Sequence, residues 1–176
     1  KNVFEWLSRN QAQLDRLDAC MINLSGQTLN DETFAGYVYG CMEDTAIPAE
    51  KICFEITETA AISNLAKTGR LMRNLKAEGC RFALDDFVSG MSSYAYLKHL
   101  PVDFIKIDGI FVRDLADDPI DLALVNSINE IAHILDKKTI AEYVENEDIL
   151  ELLREIGVDY AQGFGIAMPE ALTEEM

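Results

Sequence analysis

Short apolar runs alternate with amphipathic stretches along almost the whole chain, and this alternation constrains the fold more than any other feature. The apolar runs are nearly continuous, which is typical of parallel strands that are covered on both faces. They predict six strands, CMINLS (20–25), KICFEIT (51–57), CRFALDD (80–86), DFIKID (103–108), KTIAEYV (138–144) and DYAQGF (159–164). The amphipathic stretches predict helices at 2–19, 31–44, 63–78, 92–99, 118–136 and 146–156. Ser63 is the expected cap of the third helix, and Asn30 or Asp31 that of the second. The pattern therefore predicts an α/β chain built from parallel βαβ units.

Two architectures fit this pattern. One is an open, doubly wound sheet, and the other is a TIM-type (β/α) barrel that lacks its first one or two units. A complete barrel usually takes about 250 residues and eight strands. This chain has 176 residues, begins with Lys and is 49% hydrophobic. We therefore expect one globular domain that is part of a longer protein.

The chain is strongly acidic, with 31 Asp and Glu residues against 15 Lys and Arg residues and a formal net charge of −16. Such a surface repels the nucleic-acid backbone, so we expect no binding to DNA or RNA. A phosphorylated ligand held through metal ions remains compatible with this charge. The four cysteines form no CxxC motif, and we interpret them as reduced core thiols of a cytosolic protein.

Each predicted strand has a polar residue at or near its C-terminal end. In a barrel these ends meet on one face, where active sites are built. Carboxylate and amide oxygens without His or Cys suit Mg²⁺ or Mn²⁺, and a cation relieves the repulsion between adjacent carboxylates. One acidic residue at a strand end is more often a helix cap or a solvated charge, so the repetition on six strands favours a site. The residues are Asn23, Glu55, Asp85 with Asp86, Lys106 with Asp108, Glu142 with Glu145, and Gln162.

These groups suit the hydrolysis of a phosphodiester. Two metal ions can clamp an in-line displacement at phosphorus and activate a water. Glu142 is placed to take the proton of that water, and Lys106 to neutralise a phosphate oxygen or orient the nucleophile. The residues by themselves do not identify the substrate.

The motifs resemble the EAL domain, a family of bacterial phosphodiesterases that hydrolyse the second messenger cyclic di-GMP. They run in order over nearly the whole chain, and each falls on its own strand end. The matching segments are INLSG (22–26), FEITET (54–59), LDDFVSGMSSYAYL (84–97), VDFIKIDG (102–109), AEYVEN (141–146) and DYAQGFGIAMP (159–169).

The resemblance implies a modified TIM barrel that holds two Mg²⁺ or Mn²⁺ ions and releases linear pGpG. It implies that Asn23, Glu55, Asp85 and Asp86 are metal ligands. Lys106 and Glu142 would contact the catalytic water, with Glu142 as the base, and Gln162 would belong to the same catalytic pocket.

The resemblance also implies regulation. Glu58 would anchor the loop that follows Asp86, and residues 87–93, including Phe87, Val88, Ser89 and Gly90, would couple an upstream sensor to activity. Members of the family are usually homodimers and are often fused to sensory or GGDEF-type diguanylate cyclase domains. We expect a cytoplasmic domain, whose parent protein is either soluble or anchored to a membrane.

Three departures from the family pattern bear on activity. The Glu-Ala-Leu signature would precede residue 1, so we interpret 1–176 as a single EAL domain truncated at its N-terminus, with weak or no activity by itself. Val88 and Tyr143 stand where the family commonly has Gly. Val88 and the missing segment leave open a second hypothesis, a degenerate EAL domain that binds cyclic di-GMP or a protein partner without hydrolysis. An intact upstream signature would favour the enzyme. An unrelated metal-dependent barrel enzyme is the remaining alternative.

Overall fold

The structure of the chain is a computed structural model that describes residues 2–87 and 96–172. The six predicted strands are present in the predicted order, which confirms the α/β class. They are β1 Cys20–Asn23, β2 Ile52–Thr57, β3 Arg81–Phe87, β4 Phe104–Ile107, β5 Lys138–Ala141 and β6 Tyr160–Ala161. Several are shorter than predicted because their polar C-terminal residues lie beyond the last ladder position.

The helices are more divided than the apolar periodicity predicted. They are α1 Asn2–Arg9, α2 Gln11–Arg16, α3 Gly26–Leu29, α4 Phe34–Thr45, α5 Glu58–Ser63, α6 Leu65–Ala77, α7 Gly109–Val112, α8 Pro119–Ile134 and α9 Glu147–Ile156, with a 3₁₀ turn at Ala49–Lys51. The single helix expected over 2–19 is wrong, because Asn10 leaves the helical region at φ −114° and ψ 58°. Most of the helix expected at 92–99 lies outside the described residues.

Two predicted helix starts are also wrong. Asn64, and not Ser63, caps α6, and its side chain accepts the backbone N–H of Lys67. The carboxylate of Asp31 accepts the backbone N–H of Thr33 at 2.8 Å, so this residue forms a turn and α4 starts three residues later. Short polar side chains that bind nearby N–H groups can form either arrangement, and only the backbone geometry distinguishes them.

Residues 2–56 and 60–82 form one compact unit. Its strands β1 and β2 pair in parallel, with Cys20 opposite Ile52 and Asn23 opposite Glu55. Helices α1 and α6 contact α4. The ring of Phe54 packs on those of Phe34 and Phe82, with centroids 5.8 and 5.7 Å apart, so aromatic contacts join helix to strand.

Residues 57–59 and the described part of 83–169 form a second compact unit. Its strands β3, β4, β5 and β6 are parallel and lie side by side in chain order. Helix α8 contacts β4, β5 and α7 and buries Val125, Ile128 and Ala132. Gly157 ends α9 in the left-handed conformation, as the sequence predicted. In the described part of the chain, no helix is both long and apolar enough to cross a membrane.

Candidate active site

A β-bulge explains how two adjacent aspartates can serve one site. Leu84 on β3 pairs with Ile105 on β4, and Phe87 pairs with Ile107, so two residues of β3 lie opposite the single residue Lys106. Successive side chains of a regular strand point to opposite faces, and a bulge breaks this alternation. Asp86 is the residue in the left-handed conformation, with φ +54°. The bulge therefore re-aims the carboxylates beside Lys106.

Lys106 binds two carboxylates from neighbouring strands. Its Nζ lies 2.8 Å from Oδ1 of Asp85 and 2.8 Å from Oε1 of Glu142. The lysine side chain is only 4% exposed, and those of Asp85 and Glu142 are 15% and 14% exposed. An ammonium group that is nearly removed from water requires such partners. Lys106 thus sets the orientation of both carboxylates.

The site contains more negative than positive charge. Burial raises the pKa of Asp86, Asp85 and Asp108 raise it further, and Lys106 opposes them. Burial also raises the pKa of Glu142, while the hydrogen bond and charge of Lys106 lower it and the two aspartates raise it. Burial is the largest cause of both shifts, and the neighbouring carboxylates act in the same direction.

The same three carboxylates could ligate a metal ion. One oxygen from each of Asp85, Asp86 and Glu142 can be chosen so that all lie within 4.8 Å of one another. Oxygen donors of this kind suit Mg²⁺ or Mn²⁺, and a divalent cation would add positive charge to a cluster of three carboxylates and one ammonium. The residues therefore fit the predicted metal chemistry.

Other polar strand-end residues have structural contacts. Asp108 caps α7 and accepts the backbone N–H of Ile110 at 3.0 Å. Glu145 is exposed. Gln162 lies beside the end of β5, where its N–H donates to the carbonyl of Ala141 at 2.8 Å. The role of the Gln162 side chain stays a prediction.

Glu58 is buried, and the hydroxyl of Tyr96 hydrogen-bonds to its carboxylate. Tyr96 is the first described residue after Phe87, and this bond joins it to the start of α5. Phe87 is buried at the end of β3. The predicted regulatory residues Val88, Ser89 and Gly90 lie outside the described residues.

Asn23 and Glu55 belong to the first compact unit. They are opposite each other in the register of β1 and β2, and the N–H of Leu24 continues the ladder by donating to the carbonyl of Glu55 at 2.8 Å. Glu55 is 6% exposed, and Asn23 is exposed. Their predicted role as metal ligands stays a prediction.

The sequence analysis did not identify the packing around Tyr143. This residue follows Glu142 directly and has φ +56°. Its ring lies against Gly109 and beside the guanidinium of Arg113. The signal that could have found it is the substitution itself, since a site that commonly holds Gly is a candidate for positive φ.

Both the sequence and the structure of this chain are similar to those of known proteins. The family model described as the EAL domain matches residues 1–169. The chain is 44% identical over 172 residues to "Cyclic di-GMP phosphodiesterase PdeB" of Shewanella oneidensis, covering 98% of this chain and 20% of that protein. It is 33% identical over 176 residues to "Cyclic di-GMP phosphodiesterase PdeF" of Escherichia coli, covering 100% of this chain and 23% of that protein. The chain thus spans about a fifth of the length of these relatives.

Solved structures agree with this result. The EAL domain of Mycobacterium smegmatis DcpA matches with a TM-score of 0.90 and 33% identity, covering 96% of this chain and 76% of that chain. A complex described as "PaMucR Phosphodiesterase, c-di-GMP complex" matches with a TM-score of 0.86 and 30% identity, covering 94% of this chain and 68% of that chain. The comparisons confirm the predicted α/β fold of the EAL kind.

Proposed function

The chain belongs to the EAL domain family, and from this premise we propose that it hydrolyses cyclic di-GMP to linear pGpG within a larger signalling protein. The observation that carries the proposal is the cluster of three carboxylates at the strand ends, two of which bind a buried lysine. The names of the relatives support the substrate.

We propose that Asp85 and Asp86 hold Mg²⁺ or Mn²⁺ ions, two in the complete site. The resemblance to the EAL family implies Asn23 and Glu55 as further ligands, and that role stays a prediction. When bound, the ions would neutralise phosphate charge and lower the pKa of a water, so that it is more easily deprotonated for attack on phosphorus. The excess of three carboxylates over one ammonium supports the proposal, because divalent cations would balance it.

The protein residues then act on the substrate and the water. Glu142 accepts the proton of the attacking water at its carboxylate, which Lys106 holds at 2.8 Å. Lys106, held between Asp85 and Glu142, keeps both carboxylates in place and directs positive charge toward a phosphate oxygen.

The test uses the full-length protein. Incubated with cyclic di-GMP and Mg²⁺ or Mn²⁺, it should release linear pGpG on chromatography, and Asp85→Asn should abolish product. Asp117→Asn is the matched control, because Asp117 is exposed and lies on a different turn from the cluster. If the wild type binds cyclic di-GMP but forms no product, the protein is a receptor and not an enzyme.

A further inference from the structure

Tyr143 adopts a backbone conformation that aromatic residues seldom occupy. Its φ of +56° lies in the left-handed region, where the Cβ crowds the following carbonyl at a cost of about 1–2 kcal/mol. Asn and Asp tolerate this region because their short side chains can hydrogen-bond locally, and Gly occupies it freely. A tyrosine has neither advantage, so contacts made elsewhere must hold this backbone.

Those contacts come from the ring. A Cβ built on Gly109 would lie 2.2 Å from Cδ2, 2.5 Å from Cγ and 2.7 Å from Cβ of Tyr143. The Tyr143 side chain therefore packs directly on the backbone of Gly109. Its Cβ and Cγ lie next to the Tyr143 main chain, so a change of rotamer cannot move them far from Gly109. On the same helical segment the Arg113 Cζ lies 5.5 Å from the ring centroid, at cation–π distance.

This packing joins the two strand ends that supply Lys106 and Glu142. Gly109 comes three residues after Lys106, and Tyr143 comes directly after Glu142. Between them the N–H of Glu142 donates to the carbonyl of Ile107 at 3.2 Å. Rotation of the backbone at Tyr143 would therefore turn the residue whose carboxylate lies 2.8 Å from the Lys106 ammonium.

We infer that Tyr143 is a positioning residue. Its ring packs on Gly109 and holds the backbone of residue 143 in the left-handed conformation. This backbone keeps the Glu142 carboxylate against Lys106. The inference rests on the proposed function in that Glu142 is the base of that reaction. A Gly at this position would adopt the same backbone without such packing, whereas this chain needs it because it has a side chain there.

The first experiment compares three variants of the full-length protein in the cyclic di-GMP assay. Tyr143→Ala keeps the backbone strain but removes the ring, so kcat should fall about 10- to 100-fold with KM little changed. Tyr143→Phe keeps the ring, and Tyr143→Gly removes the strain, so both should retain most of the turnover. A residue that only supports stability would change the fraction of folded protein and leave kcat per folded molecule unchanged.

The second experiment changes Gly109, the residue on which the Tyr143 ring packs. Gly109→Ala places a methyl group whose three nearest atoms would all belong to Tyr143, so it should lower kcat as Tyr143→Ala does. The double variant Gly109→Ala with Tyr143→Gly removes that collision and should recover turnover. Failure of the double variant to exceed Gly109→Ala would overturn the inference, as would full turnover in Tyr143→Ala.

Crystal structures separate this inference from the proposed function. The distance from Glu142 Oε1 to Lys106 Nζ should lengthen in Tyr143→Ala and be kept in Tyr143→Gly, whether or not the protein is an enzyme. If the wild type forms no linear product, the proposed function fails, and the two distances still decide the role of Tyr143. An unchanged distance in Tyr143→Ala overturns the inference.

Discussion

Asp86 and Tyr143 both have positive φ, and both stand beside residues of the candidate site. Strained backbone persists where surrounding contacts determine it, and such sites are often functional. At Asp86 the strain belongs to the bulge that sets two carboxylates opposite Lys106. At Tyr143 it belongs to the turn after Glu142. Asp86 is therefore the carboxylate that regular alternation would turn away from Lys106, whereas Glu142 lies two residues after Ile140, the partner of Lys106, and is already on the lysine's face.

Lys106 is the residue on which the electrostatics of the cluster depend. In the presence of EDTA, Lys106→Met should lower the free energy of unfolding at pH 7 by about 1–3 kcal/mol, because Asp85 and Glu142 lose their shared cation. Chemical denaturation measures the change. Lys98→Met is the control, since Lys98 is exposed, and it should leave the stability nearly unchanged. Equal stability of wild type and Lys106→Met would contradict this account.

Among the elements, a polar network ties α8 to β5 and to the start of β6. The buried hydroxyl of Thr139 lies 2.6 Å from Oδ1 of Asn129, whose amide donates to the carbonyl of Ile156 at 3.2 Å. Asp159 accepts the N–H of Thr139 at 2.8 Å, and its Oδ2 also lies 2.8 Å from His133 Nε2. Polar groups at this depth need partners, and the network supplies them from separate elements.

This network should make stability depend on pH. Burial opposes ionisation of Asp159, but hydrogen bonds from Thr139 and His133 outweigh it and lower the pKa of this carboxyl. A pKa below the unfolded value of about 3.9 means that the carboxylate stabilises the fold above that pH, and that this is lost as the pH falls through the folded pKa. Asp159→Asn should therefore cost about 1–2 kcal/mol at pH 6–7.

Denaturation curves measured across pH test this expectation. The difference in unfolding free energy between wild type and Asp159→Asn should close below about pH 4. Asp117→Asn, on an exposed carboxylate, should follow the wild type throughout. A difference that does not change with pH would show that the charge of Asp159 is not what stabilises the network.

Two glycines in helices should respond to alanine in opposite directions. Gly157 ends α9 at φ +85° with open space around a Cβ, so Gly157→Ala should lower stability by about 1 kcal/mol through backbone strain alone. Gly36 lies inside α4, also with open space, so Gly36→Ala should raise stability by about 0.5–1 kcal/mol. Thermal or chemical denaturation decides both, and equal signs would contradict the difference in backbone conformation.

At the scale of the whole molecule, the net charge of −16 makes the binding of an anionic ligand unfavourable unless cations are present. A phosphate ester approaching an acidic protein and three clustered carboxylates meets repulsion, and one buried lysine does not cancel it. Divalent cations would reverse the local sign. The same argument explains why an acidic chain is compatible with a phosphorylated small molecule and unfavourable for nucleic acid.

The order and type of the strands could be predicted from the sequence because each buried parallel strand corresponds to a continuous run of apolar residues. Helix boundaries were less predictable. Asn10, Asp31 and Asn64 are polar residues that can cap, turn or interrupt a helix, and local sequence does not distinguish these outcomes. The four-residue helix α7 has too few positions to show a period at all.

The sequence by itself determined the residue types available to the site, because polar residues at strand ends stand out against apolar runs. Only the tertiary structure decided which of them meet. The bulge at Asp85 and Asp86, the bond from Lys106 to Glu142 and the ring of Tyr143 on Gly109 all join residues from different strands or turns. Such contacts depend on register and backbone torsion, which arise when strands pair and which no single segment encodes.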